Sequence, residues 1–234
     1  MASILECRNL EKSYDGGRTL ALKGVNLSLG KGRIIGLLGP NGSGKTTFIK
    51  LINGLLRPER GELYIGGYPV GTETKKMISY LPEVTYLNKS MRVRQIISYF
   101  QDFYEDFDAT RAYEMLKRLN INPNDRMRTM SKGMKEKVQL IMVMSRNAML
   151  YVLDEPIGGV DPAARDYILS TIVSNYNPEA TILISTHLIA DVETILDDVV
   201  FLKEGTVVLA QEAERLRKER GCSIDAMFRE VFRC

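Results

Sequence analysis

Apolar residues along this chain fall into two kinds of pattern. Continuous short runs, Ile34-Ile35-Gly36-Leu37-Leu38, Met149-Leu150-Tyr151-Val152-Leu153 and Thr181-Ile182-Leu183-Ile184-Ser185, read as strands buried on both faces. Further strands are predicted at Ile4-Leu5-Glu6-Cys7, at the alternating Gly24-Val25-Asn26-Leu27-Ser28-Leu29, and at Glu62-Leu63-Tyr64-Ile65 before Gly66-Gly67. Met77-Ile78-Ser79-Tyr80-Leu81 is another, stopped by Pro82. Asp198–Lys203 and Thr206–Leu209, joined at Glu204-Gly205, form a hairpin.

Helical spacing appears instead in Phe48, Ile49, Leu51, Ile52 and Leu55, across Arg92–Tyr104 and Thr110–Leu119, and in Met134, Val138, Ile141 and Ser145 behind a predicted N-cap at Ser131. A charged helix is expected from about Gln211 to Arg220. Ile224, Met227, Phe228 and Val231 suggest a short amphipathic one after it. The mixture predicts an α/β fold with a helical subdomain inserted at about 86–148 and a short helical tail at about 211–234.

Composition narrows the classes. At 234 residues the chain suits one large domain. A net charge of +3 is too small to imply nucleic acid as a partner. The three cysteines, Cys7, Cys222 and Cys234, have neither disulfide-framework nor zinc spacing, which suits a reducing cytosol. A single histidine excludes His-rich metal sites. No apolar run approaches the roughly 18 residues of a membrane span, and no signal peptide is expected. Work at a membrane is therefore expected to go through a partner or through the protein's surface.

The richest stretch is Gly39-Pro40-Asn41-Gly42-Ser43-Gly44-Lys45-Thr46, which fits G-x-x-x-x-G-K-[ST]. It lies between a predicted strand and a predicted helix, the context that a phosphate-binding loop requires. Glycines let backbone N–H groups turn inward and cradle anionic oxygens at a helix N-terminus. Lys45 should reach β- and γ-phosphates, and the Thr46 hydroxyl should ligate Mg²⁺.

Two acids, Asp154 and Glu155, end the run 149–153. Carboxylates at the end of a buried strand are costly unless something there wants negative charge. Asp154 suits a Mg²⁺ ligand and Glu155 suits a group that orients or deprotonates a water; helix capping is the other reading. A lone histidine is usually structural, but His187 follows another core strand at the same sheet edge as Asp154 and is expected to sense a γ-phosphate. Tyr14, in the turn Ser13-Tyr14-Asp15-Gly16-Gly17, reads either as a surface tyrosine or as a stacking platform for a base. Arg126 to Lys137 holds five basic residues against one acid. That is either a solvated face or a helix start aimed at phosphate.

These segments, in this order, resemble the ATP-binding cassette (ABC) family, specifically the nucleotide-binding subunit of a bacterial exporter-like ABC transporter. The resemblance spans roughly Ile4 to Leu209. It implies a phosphate-loop NTPase fold with a mixed central sheet, an N-terminal antiparallel β-subdomain and an inserted helical subdomain. It implies ATP and Mg²⁺ as ligands, with Tyr14 on adenine and Gly39 to Thr47 as the Walker A segment. Asp154 resembles the Walker B carboxylate, Glu155 the catalytic base and His187 the switch histidine. Ser131 and Gly133 resemble the signature that meets the γ-phosphate on an opposite subunit, and Asp161 resembles the loop linking the two sites of a dimer. Two departures stand out. The signature reads Ser131-Lys132-Gly133-Met134-Lys135 where Ser-Gly-Gly-Gln is commoner, with Lys132 and Lys135 departing. Glu83 stands where a glutamine usually touches Mg²⁺ or the attacking water and senses the membrane partner.

The resemblance therefore implies an ATPase driving transport, with export favoured, through separate integral membrane permease subunits. It also implies a homodimer or heterodimer of such subunits, peripheral to the cytoplasmic face of the membrane, with no nucleic acid expected. A soluble ABC-type ATPase acting on ribosome or DNA, a GTPase or small-molecule kinase, and a regulatory subunit with weak hydrolysis are the competing classes.

Overall fold

The computed structural model describes residues 3–158 and 162–232. The N-terminal third builds β1 (Ser3–Tyr14), β2 (Thr19–Gly30), β3 (Ile34–Leu38), α1 (Lys45–Ile52), β4 (Arg60–Ile65), β5 (Tyr68–Pro69), α2 (Thr72–Met77) and β6 (Ile78–Leu81). Helices α3 (Val93–Phe103), α4 (Ala109–Arg118) and α5 (Lys132–Met144) follow. Then come β7 (Leu150–Asp154), α6 (Pro162–Asn175), β8 (Thr181–Thr186), α7 (Ile189–Val192), β9 (Asp198–Lys203), β10 (Thr206–Glu212), α8 (Ala213–Arg220) and α9 (Ile224–Val231).

Two sheets result. One is four-stranded and antiparallel, in the order β2-β1-β4-β5. The other has six strands in the order β10-β9-β3-β8-β7-β6, parallel except for the β9–β10 hairpin. This is the mixed α/β architecture of a phosphate-loop NTPase.

The continuous apolar runs are explained by burial on both faces of the six-stranded sheet. Side chains alternate along a strand. Leu150 and Val152 of β7, Leu183 of β8, and Val200 and Leu202 of β9 join the core shared with α1 and the antiparallel sheet. Tyr151, Leu153, Ile182, Ile184, Val199 and Phe201 join the core shared with the helices. Each fully buried aliphatic side chain contributes roughly 1.5–3 kcal/mol relative to exposure. The layers around β3, β7 and β8 are therefore the buried apolar centre of the fold.

Three sequence expectations shift. The strand expected at Ile4–Cys7 runs on to Tyr14, because β1 is paired on both sides and its polar residues are carried by register irregularities after Cys7. Ser13 and Tyr14 thus end a strand, and only Asp15–Gly17 makes the turn. Met77 closes a short helix instead of opening β6: the Thr74 hydroxyl bonds both the N–H and the carbonyl of Gly71 at 3.0 Å, which nucleates α2. Met149 is exposed and precedes β7.

The strand order decides where chemistry gathers. β3, β8 and β7 are neighbours and parallel, so their C-terminal ends share one edge. In open α/β sheets that edge is where ligands bind.

Candidate active site

The loop after β3 needs glycine at two places for steric reasons. A Cβ on Gly39 would lie 2.4 Å from the Leu202 carbonyl and 2.5 Å from Ser43 Oγ. Gly44, at φ +107°, is in backbone space that side chains rarely adopt, and a Cβ there would lie 2.6 Å from the Ala21 carbonyl. Gly44 then opens α1, whose first residue is Lys45. Lys45 is almost wholly buried and its Nζ donates to the carbonyls of Gly39 (2.6 Å) and Pro40 (3.2 Å). Burial pushes its ammonium below the usual lysine range, and the nearby carboxylates of Glu155, Asp154 and Glu83 work against that fall. Ser43 Oγ is buried and has no hydrogen-bond partner among the described residues.

Asp154 ends β7 at 2 % exposure. Its Oδ1 accepts a 2.5 Å hydrogen bond from Ser185 Oγ on β8, the strand position directly beside it. Burial raises the Asp154 carboxyl above the ordinary range; Ser185 acts in the opposite sense, and Glu155 and Glu83 add to the rise. Tyr80 on β6 is pushed up to about 12 by burial first and then by Asp154 and Glu83.

Glu155 leaves the strand with φ +50°, a left-handed conformation that costs a non-glycine residue of order 1 kcal/mol or more. It is pinned there by Ser185, whose carbonyl and Oγ accept from the Glu155 N–H at 3.0 and 3.2 Å. The twist aims the carboxylate at His187, whose Nδ1 is 3.0 Å from both Glu155 oxygens.

A cleft of about 820 Å³ joins these groups. Tyr14, Asn41, Gly42, Gly44, Lys45 and Thr46 line one side, and Glu83, Glu155 and His187 another. Thr47 and Tyr14 are joined at the mouth, Tyr14 hydroxyl to Thr47 Oγ1, at 3.2 Å. Tyr14 is 41 % exposed. Pro40 is exposed at the loop's crest.

Lys132 and Lys135 line the cleft, whereas Ser131 and Gly133 do not. Ser131 caps α5, its Oγ accepting from the Met134 N–H at 3.3 Å, and it faces solvent. Counted from Ser131, the position of the signature glutamine falls on Met134, which packs on the helical core; Lys135 is one residue beyond it. Asp161 lies outside the described residues.

The donor set fits a phosphate-bound Mg²⁺ better than an all-protein metal site. Among the described residues no cluster of three or more His, Cys, Asp or Glu side chains could cage a metal. Thr46 lines the cleft, Asp154 lines a smaller cavity with Glu83 and Glu155 beside it, and a Mg²⁺ held by these oxygens would take its remaining donors from phosphate and water, the usual manner of that ion.

Two residues escaped the sequence reading. Ser185 is a polar residue ending an apolar strand just before Thr186-His187, which is the signal that could have revealed it. Gln139 is buried in α5 amid apolar neighbours, and only the fold shows what it holds.

Comparison with known proteins agrees with this geometry. A family model described as "ABC transporter" matches residues 22–158. The ABC transporter ATP-binding protein YtrB of Bacillus subtilis (strain 168) is 30 % identical over 219 residues, covering 92 % of this chain and 74 % of that protein. The Nod factor export ATP-binding protein I of Burkholderia orbicola (strain AU 1054) is 30 % identical over 229 residues, covering 94 % and 75 %. A solved structure titled as the ATP binding subunit of an ABC transporter superposes with TM-score 0.87 at 30 % identity, covering 98 % of this chain and 99 % of that one. The match takes in the phosphate loop and the acid pair and covers more than half of the sequence, and the chain belongs to the ABC transporter family as a nucleotide-binding subunit.

Proposed function

We propose that this chain hydrolyses ATP to ADP and phosphate as one half of a head-to-tail pair, and that closing and opening of the pair drives export through separate membrane permease subunits. One observation carries the reading. The phosphate loop, the Asp154–Glu155 pair and His187 leave adjacent parallel strands at one edge, with Glu155 bonded to His187 at the rim of the cleft.

In this scheme Tyr14 stacks on adenine, and residues Gly39 to Thr47 wrap the phosphates. Lys45 leaves the carbonyls of Gly39 and Pro40 for the β- and γ-oxygens. Mg²⁺ would be held by Thr46 and Asp154 with Glu83 beside it, and when bound it neutralises charge building on the phosphate oxygens. Glu155 accepts the proton of a water whose oxygen attacks the γ-phosphorus as the bond to the β–γ bridging oxygen breaks. His187 holds Glu155 in place and contacts the γ-phosphate. Positioning and charge do the work, with no covalent intermediate.

Ser131 and Gly133 lie off their own chain's cleft, which supports their serving the partner's nucleotide; Asp161 is assigned to the link between the two sites. The stretch at about 86–148 is taken as the helical subdomain and 211–234 as the tail. Among the described residues no helix is long and apolar enough to cross a membrane. The permease is assigned to separate chains and the subunit to the cytoplasmic face, as the family resemblance implies. Export is the direction carried by the name of the Burkholderia relative. Glu83 is assigned to the loop that couples the site to the permease.

The test is Mg²⁺-dependent phosphate release by the purified chain, alone and with the membrane protein that co-purifies with it. Hydrolysis that Lys45→Ala abolishes is expected. No hydrolysis in either preparation would point to a regulatory subunit instead. If Glu83→Gln leaves both turnover and coupling unchanged, the coupling role of Glu83 is wrong.

A further inference from the structure

The loop that carries Glu83 has almost nothing of its own to hold it. Between Pro82 and Tyr86 it forms neither helix nor strand, and Val84 at its tip is 74 % exposed. Among the described residues two hydrogen bonds hold this segment, and both go to one side chain. Gln139 Nε2 donates to the Pro82 carbonyl at 3.1 Å, and Gln139 Oε1 accepts from the Tyr86 N–H at 3.1 Å. The assignment of amide oxygen and nitrogen is forced, since a carbonyl only accepts and an amide N–H only donates.

Gln139 is 2 % exposed, in a helix stretch whose next residues, Leu140 to Met144, are all buried apolar side chains. A polar side chain there is costly unless its groups are satisfied. Here the amide's oxygen and nitrogen each bond one end of a loop more than fifty positions away in sequence. Glu83 sits inside that bracket, and Gln139 lines the floor of a small cavity with Glu83, Glu136, Asp154 and Glu155. The same helix begins at the Ser131 cap, about 12 Å along the axis from Gln139.

We propose that Gln139 is a positioning residue: its buried amide clamps both ends of the Glu83 loop to α5, so that Glu83 and the Ser131 end of the helix move as one body. The proposal rests on the ATPase reading for its consequence in turnover, while the clamp itself is a property of the chain alone. One amide therefore links the loop assigned to the permease and the helix assigned to the partner's nucleotide. Side-chain volume at 139 is secondary in this view; the donor and the acceptor matter.

The test uses the full-length chain with Gln139→Met, which keeps length and loses both polar groups, and Gln139→Glu, which keeps an acceptor for Tyr86 and loses the donor to Pro82. Amide hydrogen exchange at Tyr86 is read first, without nucleotide. It is expected to quicken about tenfold or more in Gln139→Met and to stay slow in Gln139→Glu. With Mg²⁺ and ATP, Gln139→Met is expected to lower kcat about tenfold with KM within about twofold. Glu83→Gln is expected to have a much smaller effect in the Gln139→Met background than in the wild type.

Unchanged Tyr86 exchange in Gln139→Met overturns the clamp, whatever the turnover. Fully additive kcat effects of Gln139→Met and Glu83→Gln overturn its link to Glu83. Should the wild type fail to hydrolyse ATP, the ATPase reading falls and the exchange measurement still decides the clamp. Should Gln139→Glu fail to fold, Gln139→Met alone decides it.

Discussion

His187 Nδ1 stands 3.0 Å from both carboxylate oxygens of Glu155, although the two residues are 32 positions apart in sequence. The contact exists because β7 and β8 are parallel neighbours that end at the same level, and because Glu155 takes a left-handed turn there. Glu155 is nearly buried while half of the His187 side chain is exposed, so the histidine is the arm open to an arriving ligand.

That contact makes Glu155 and His187 a unit. Glu155→Gln is expected to retain ATP binding and lower kcat by about 100-fold or more. His187→Ala is expected to lower it about 10- to 100-fold. In the double variant the effects should not multiply, as is usual for groups that act together. Steady-state phosphate release from the three variants checks this; multiplicative losses would separate the two roles.

Ser185 serves both acids at once, donating to Asp154 and accepting from the Glu155 N–H. Ser185→Ala strips Asp154 Oδ1 of its buried donor and loosens the strained turn. A cost of about 1–3 kcal/mol is expected for the unsatisfied group, or several degrees in Tm for a chain of this size. A fall in kcat of about tenfold should accompany it. Calorimetry and turnover on the same preparation check both; unchanged turnover would remove Ser185 from the acid pair's support.

Arg146 anchors the opposite end of the same sheet. It is buried, pairs with Asp106 at 2.9 Å, and donates to the carbonyls of Ile78 (2.6 Å) and Lys76 (2.7 Å). Its guanidinium also lies 3.9 Å from the Tyr104 ring centre. Arg146→Met leaves Asp106 and two carbonyls without their donor. Destabilisation of about 3–5 kcal/mol is expected, visible as a lower midpoint in urea. Because the change is remote from the cleft, turnover per folded molecule should stay near wild type below the melting range.

Much of the fold was legible because burial on both faces leaves an unmistakable trace: uninterrupted apolar runs at 34–38, 150–153 and 182–184. The polar residues past these runs were expected at one sheet edge, and the parallel pairing of β7 and β8 puts Asp154, Glu155 and His187 there. Residues whose partners are distant backbone groups were not legible. Arg146 answers carbonyls about 70 positions away, and Gln139 answers a loop more than 50 away, so no local pattern announces either. The length of β1 was hidden for a related reason: pairing on both sides overrides the polar residues that suggested a turn.

In the proposed pair a nucleotide is shared between two copies, gripped by the Lys45 loop of one and capped by the Ser131 helix of the other. Light scattering of Glu155→Gln, with and without Mg²⁺ and ATP, decides this. A monomer is expected without nucleotide and twice that mass with it, with a return to the monomer, still binding ATP, when Ser131→Arg is added. A Glu155→Gln protein that stays monomeric with ATP bound, or a dimer indifferent to Ser131→Arg, would contradict it.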